Sequence, residues 1–197
     1  MKPATDLTSG VNTKEAKVVL CSTPEELKGI IYLQRTNLPK NISAKEALEQ
    51  GFVTVEHSFD VLKRMNEVHP HIIAKSKEAV VGYALVMTKE FRNEIPVLIP
   101  MFERIDQLSY EDMPLSSQSY FVMGQVCIAK EFRGSGLFDK LYENLRTHLS
   151  PVFDRCITEV ASRNIRSVNA HRRVGFKTIH RYTDPRGEEW RILLWKW

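Results

Sequence analysis

The chain has 197 residues, 43% of them hydrophobic and 26% charged, with a net charge of +4. That length supports one domain whose core buries ~70% of the surface its unfolded form exposes, and the composition is that of an ordinary globular protein. The charge falls short of a nucleic-acid-binding arm, no apolar run approaches the ~20 residues that cross a bilayer, and residues 1–17 lack the apolar stretch of a secretion signal.

Residues 1–15 are polar and aperiodic and are predicted to form a flexible tail, with residues 16–197 as a single domain. Residues 16–21 read as a first strand. Thr23-Pro-Glu-Glu26 then opens a helix, with Thr as N-cap, Pro at the first helical position and Glu closing a capping box. Ser43-Ala-Lys-Glu46 repeats the box before a short helix that stops near Gly51, and Ser58 caps another that ends at His69-Pro70. Strands over 71–76 and 79–87 form a hairpin, although Lys77-Glu78 lacks the usual Gly or Asn. Residues 88–118 are a long connection holding Pro96, Pro100 and Pro114, with a helix near 101–108; a connection this long is usually functional or disordered. A strand over Tyr120–Ile128, a glycine turn and a helix from Leu137 to about Leu149 follow, the helix marked by Leu137, Leu141 and Leu145. The remainder reads as a strand over 156–161, a helix over 165–174, and strands over 177–183 and 190–197. Cys21, Cys127 and Cys156 are odd in number, widely spaced and set in apolar segments, so they read as buried thiols of a reducing, cytoplasmic compartment; none has metal-ligand spacing.

The chemistry concentrates in two segments. Arg133-Gly-Ser-Gly136 sits at a strand-to-helix turn, where the new helix presents unpaired N–H groups. Such a turn either cradles phosphate, with Arg133 adding positive charge, or uses glycine only for its φ freedom. No Lys-Ser or Lys-Thr follows Gly136 as a nucleotide P-loop requires, and no third glycine completes a dinucleotide fingerprint. A nucleophile elbow on Ser135 would need glycines at 133 and 137, where Arg and Leu stand. The second segment runs from Glu159-Val160 through Asn164 and His171 to Gly175-Phe176: strand, polar break, helix. Asn164 is placed to cap that helix and Gly175 to end it.

Together, in this order, the two segments resemble the GNAT superfamily of acetyl-CoA-dependent N-acetyltransferases. The cofactor motif, Arg/Gln-x-x-Gly-x-Gly/Ala, reads here Arg133-Gly-Ser-Gly136-Leu-Phe138, with Phe for the closing Gly/Ala. The later motif, Glu-Val-x-x-x-Asn followed by Tyr four residues before Gly-Phe, has His171 for that Tyr. Element order fits over nearly the whole chain, and the form is most similar to poorly characterised bacterial members.

The resemblance implies an α/β (α+β) fold: a mixed, mostly antiparallel central sheet flanked by helices, with a V-shaped splay between the fourth and fifth strands. It implies transfer of an acetyl group from acetyl-CoA to a primary amine of a small molecule or a peptide N-terminus, by direct attack without a covalent enzyme intermediate and without a metal. The pantetheine arm would pair with backbone of Val126, Cys127 and Ile128. The diphosphate would lie on the amides of Arg133, Gly134, Ser135, Gly136, Leu137 and Phe138, with Phe138 crowding the approach. Asn164 would contact the cofactor or only cap its helix. His171 would donate a proton to the leaving thiolate, or pack without proton transfer; Glu159 would act as base, or be a structural carboxylate paired with Arg155 or Arg163. Backbone N–H near Cys127 or Ile128 would serve the oxyanion. The departures at Phe138 and His171 leave a non-catalytic acyl-CoA-binding or sensing module as the alternative. No nucleic acid or membrane partner is expected, and the protein would be a monomer or homodimer. His69-Pro-His71 pairs two histidines without a third ligand.

Overall fold

The structure, a computed structural model, describes residues 15–43, 45, 46 and 50–197. The expected tail therefore lies almost wholly outside the described residues. One sheet of seven strands joins β1 (Lys17–Leu20), β2 (Ile72–Ser76), β3 (Ala79–Met87), β6 (Tyr120–Ile128), β7 (Arg155–Ala161), β9 (Glu189–Lys196) and β8 (Lys177–Thr183), in that spatial order. All neighbouring pairs are antiparallel except β6 and β7, which are parallel and connected through a helix. The mixed, mostly antiparallel sheet expected from the sequence is present.

Local signals explain the helices. In α1 (Pro24–Thr36) the Thr23 hydroxyl accepts from Glu26 N at 3.2 Å while the Glu26 carboxylate accepts from Thr23 N at 3.1 Å, which closes the capping box. Ser58 caps α2 (Phe59–Val68) through a bond from Val61 N, and Ser43 accepts from Glu46 N at 3.1 Å, residues 45, 46 and 50 being helical. The 88–118 connection contains α3 (Ile99–Asp106) and a two-stranded hairpin, β4 (Ser109–Tyr110) with β5 (Met113–Pro114). The sequence reading missed this hairpin because its turn uses Glu111 and Asp112 at positive φ, without glycine. The glycine turn leads into α4 (Leu137–Leu149), and α5 (Ile165–Val174) runs between β7 and β8.

Helices cover both faces. Leu137, Leu141, Tyr142 and Leu145 of α4 pack with Phe121, Val160, Phe176 and Trp195 on one face. On the other, α1 and α2 pack on Ile73, Tyr83 and Leu85, and α3 packs on Val122, Ile157 and Ile192. These residues are removed from water almost completely, and their apolar burial is what holds the layers together.

Candidate active site

The cleft begins with an irregularity in β6. Ala84 pairs with Val126 but Val86 pairs with Met123, so β6 carries one extra residue at Gly124-Gln125. That bulge switches the strand's alternation: Phe121 and Met123 face α4 before it, and Val126 and Ile128 face α4 after it. On its other edge, β6 pairs with β7 only from Tyr120–Arg155 to Val122–Ile157. The Thr158 hydroxyl donates to Met123 O at 3.0 Å and marks the apex. Beyond it the strands separate, as the sequence led one to expect between the fourth and fifth strands of the sheet.

Residues 124–128 thus present an unpaired edge to a slot. Ala129 N–H donates across to Val81 O at 2.8 Å on the β3 side. Alternation along the strand therefore turns the amides of Ile128 and Val126 toward the slot and that of Cys127 toward β3. Slot and glycine turn open into one cleft of about 610 Å³, walled by Val126, Cys127, Ile128 and Asn164 and floored by Gly134, Gly136, Leu137 and Phe138.

At the turn, Gly134 and Gly136 have φ of +79° and +80°, a conformation that other side chains rarely adopt. A Cβ at either position would meet no atom within 4 Å, so glycine is required there by the backbone and the space before it is open. Among the described residues no acceptor within the protein takes the amides of Gly134, Ser135, Gly136, Leu137 or Phe138. A row of free N–H groups at a helix N-terminus fits an anion such as a diphosphate. The Ser135 hydroxyl is taken up by Phe132 O at 2.6 Å, and Leu137 is buried under the helix.

Arg133 departs from expectation. Its guanidinium bonds to Ile128 O (3.0 Å), Glu46 (3.1 Å) and Asn37 Oδ1 (2.7 Å), with its side chain 14% exposed. The side chain is a clamp on the turn rather than a free cation for phosphate. Positive side chains at the cleft come instead from Arg173, paired with Asp139 at 2.9 Å, and Arg166, which has no ion pair among the described residues. Arg163 packs on Phe52 and pairs with Glu188.

Asn164 does two things: its Oδ1 caps α5 by accepting from Ser167 N at 3.1 Å, and the side chain lines the cleft against Gly51. Cys127 also lines the cleft, but burial pushes its thiol up to about 11, so it is protonated at neutral pH. Glu159 stands on β7 two residues past the last β6–β7 pair, where the two strands have parted, and is not among the residues that line the cleft. Burial pushes its carboxyl up to about 7, against the opposing pull of a hydrogen bond from Tyr182 O–H and the charge of Arg104. Neither arginine weighed as its partner is there: Arg155 bonds to Gln118 and Arg163 to Glu188.

His171 is not brought to the cleft. It is 1% exposed, behind Phe138, whose ring centre lies 5.2 Å from its own. Ser167 O is 2.8 Å from Nδ1, and a carbonyl only accepts, so Nδ1 carries the proton and Nε2 accepts from Tyr142 O–H at 2.6 Å. Burial lowers its pKa to about 4. Both nitrogens of this neutral imidazole are engaged in the core. Phe138 packs its ring on Tyr142 and His171 while also lining the cleft.

Asn37 and residues 50–53, within the N-terminal segments where the resemblance puts the acceptor pocket, also line the cleft; Val53 N bonds to Asn37 O at 3.0 Å. The segment continues over the bulge, where Gln125 Nε2 donates to Val55 O at 2.9 Å. No motif marks these positions. Tyr182, which the sequence marks only as a strand residue, is the contact that sequence reasoning missed. His69 and His71 do not converge: His71 is buried and accepts from Val86 N, while His69 packs edge-on to Phe153. Among the described residues no cluster of three or more potential metal ligands occurs, and no helix is long and apolar enough to cross a membrane.

No protein-family model matches the sequence, and no curated protein matches it. Solved structures do match in shape. A putative acetyltransferase from Salmonella typhimurium, solved with acetyl-CoA, superposes with a TM-score of 0.59 over 92% of this chain and 94% of its own, at 13% identity. The ribosomal-protein-S18-alanine N-acetyltransferase of Escherichia coli gives 0.58 over 92% and 94%, at 12% identity. A chain of the NatC complex bound to Gag peptide and CoA gives 0.62 over 93% and 99%, at 13% identity. This is the GNAT fold. The splayed slot and the glycine turn are the parts of that fold that the sequence resemblance led one to expect, and they stand in the expected order. At these identities the likeness is one of fold.

Proposed function

We propose that the protein transfers an acetyl group from acetyl-CoA to a primary amine of a small molecule or a peptide N-terminus, by direct attack. The observation that carries this reading is the continuity of an unpaired β6 edge with a nest of free amides. Val126 and Ile128 offer backbone groups to an extended arm, and the amides from Gly134 to Phe138 lie where its diphosphate would follow. Neighbouring structures with CoA or acetyl-CoA bound support the same ligand.

Acetyl-CoA, when bound, supplies an acyl group on a thioester whose thiol leaves readily, with a solution pKa near ~8.5. The slot-facing amides of Val126 and Ile128 would donate to the acyl oxygen as charge develops on it. Glu159 would accept the proton of the attacking amine, directly or through water; its raised pKa matches base chemistry near neutral pH. The protonated Cys127 supports transfer without an acyl-enzyme. The thiolate would take its proton from solvent, since His171 is engaged in the core. Asn164 would hold the arm opposite β6, and the segment 50–57 would cover the acceptor. Acceptors that are peptides or proteins are supported by two of the neighbours.

The burial of His171 also favours a second reading, a non-catalytic acyl-CoA-binding module. One pair of measurements separates them. Acetyl-CoA at 100 times its Kd stabilises a binding protein by ~2.7 kcal/mol, which for a chain of this size raises Tm by roughly 5–10 °C. Thiol release across a panel of amines and peptides should accompany that rise. A rise without turnover leaves the binding module, and no rise ends both readings.

A further inference from the structure

Glu159 is not held by its own strand. Its carboxyl accepts a hydrogen bond from the Tyr182 hydroxyl of β8, and the Arg104 guanidinium of α3 lies 3.9 Å from the centre of the Tyr182 ring. Three segments remote in sequence meet here, one of them the 88–118 connection that the sequence marked as too long to be idle. Arg104 has no carboxylate partner among the described residues, and its Nε is buried without a hydrogen-bond acceptor, so the ring face is its principal contact. The sheet register explains the meeting. Glu159 pairs with Ile192, and Tyr182 pairs with Trp190, so both side chains leave the same face of the sheet, one strand apart on either side of β9.

We propose that Tyr182 is the positioning residue of the transfer base, its hydroxyl fixing the Glu159 carboxylate on β7 beyond the point where β6 and β7 part, and Arg104 fixing the Tyr182 ring. The inference rests on Glu159 being the base. A carboxyl buried there prefers its neutral form, in which it cannot take a proton from an amine. A donor aimed at one oxygen favours the charged form and leaves the other oxygen for the amine. The groups that face the carboxyl are Tyr182 and Arg104, which favour its ionisation, and Asp184, which opposes it; His180 stands beside Tyr182, its ring stacked at 6.2 Å. The 88–118 connection thereby acquires a task. It brings a cation to the back of the phenol.

Tyr182→Phe keeps the ring under Arg104 and removes one oxygen. The expected result is an acid limb of the kcat profile moved up by about one pH unit, a kcat at pH 7 lower by about fivefold, recovery toward wild type at higher pH, and an unchanged Kd for acetyl-CoA. NMR on protein carrying ¹³C-carboxyl glutamate reads the same group without turnover. One resonance should titrate near neutral, vanish in Glu159→Gln and move up in Tyr182→Phe. If Tyr182→Phe does not fold, Arg104→Met leaves the phenol in place and should move limb and resonance in the same direction by less. An unmoved limb and resonance in an active enzyme overturn the role of Tyr182 alone. Absence of turnover on every amine overturns the transfer reading, and the positioning role falls with it whatever the resonance does.

Discussion

A carboxyl group can accept a proton only in its charged form, and at Glu159 burial works against that form. With its pKa raised to about 7, the carboxylate becomes the majority species only as pH passes neutrality. Turnover should therefore rise with pH through about 7 and level above it. Glu159→Gln should remove that limb and lower kcat/KM by about 10²–10⁴-fold while the acetyl-CoA-induced rise in Tm persists. A variant that keeps the limb would show that another group is the base. His171 carries the opposite expectation. His171→Ala leaves the Tyr142 hydroxyl without its acceptor and opens a hole under Phe138, at a cost of about 2–4 kcal/mol. Tm should fall while turnover per folded molecule stays within about tenfold of wild type; a larger loss at unchanged Tm would restore His171 to the chemistry.

At the scale of elements, the glycine turn is held by a side chain that the sequence offered as a phosphate ligand. Arg133 reaches Ile128 O, Glu46 and Asn37 at once, which ties the mouth of α4 to the N-terminal segments covering the cleft. Two substitutions distinguish clamp from ligand. As a clamp, Arg133→Ala should weaken acetyl-CoA binding by about tenfold, and Arg133→Lys should recover little, because an ammonium cannot reproduce the planar fork that meets three acceptors. Glu46→Gln should then weaken binding too. Were Arg133 a phosphate ligand, releasing it from Glu46 would tighten binding instead, and calorimetry on the two variants decides. The bulge of β6 acts at the same scale: by turning Val126 and Ile128 toward α4 and freeing their outer edge, it converts an ordinary central strand into a docking edge.

For the whole molecule, three buried histidines set the response to acid. Burial lowers His57 to about 4, His71 to about 3 and His171 to about 4, each from 6.5. A group depressed on folding contributes stability that is present above its unfolded pKa and lost as pH falls toward its folded one. Glu159 is raised from 4.5 to about 7, so its contribution is complete below 4.5 and lost as pH rises through 7. Three against one, Tm should drop steeply between pH 6.5 and 4.5; a flat or rising Tm over that range would mean that the histidines are not buried neutral. Much of the architecture was legible from the chain alone. The capping box at Thr23, the caps at Ser43 and Ser58 and the span of α5 after Asn164 depend on contacts at most four residues apart, so short stretches of sequence carry them; Glu46, which would have closed a box at Ser43, reaches Arg133 and Lys130 instead. The glycines at 134 and 136 announced a turn for the same reason. What each titratable group faces is a different kind of fact. Arg133 meets Glu46 and Asn37 across 87 and 96 residues, and Tyr182 meets Glu159 across 23, while His171 lies behind Phe138 because two helices close over it. Local hydrogen bonding wrote the elements into the sequence; burial and partner choice arise only when distant segments pack, and those decided which side chains stand at the cleft.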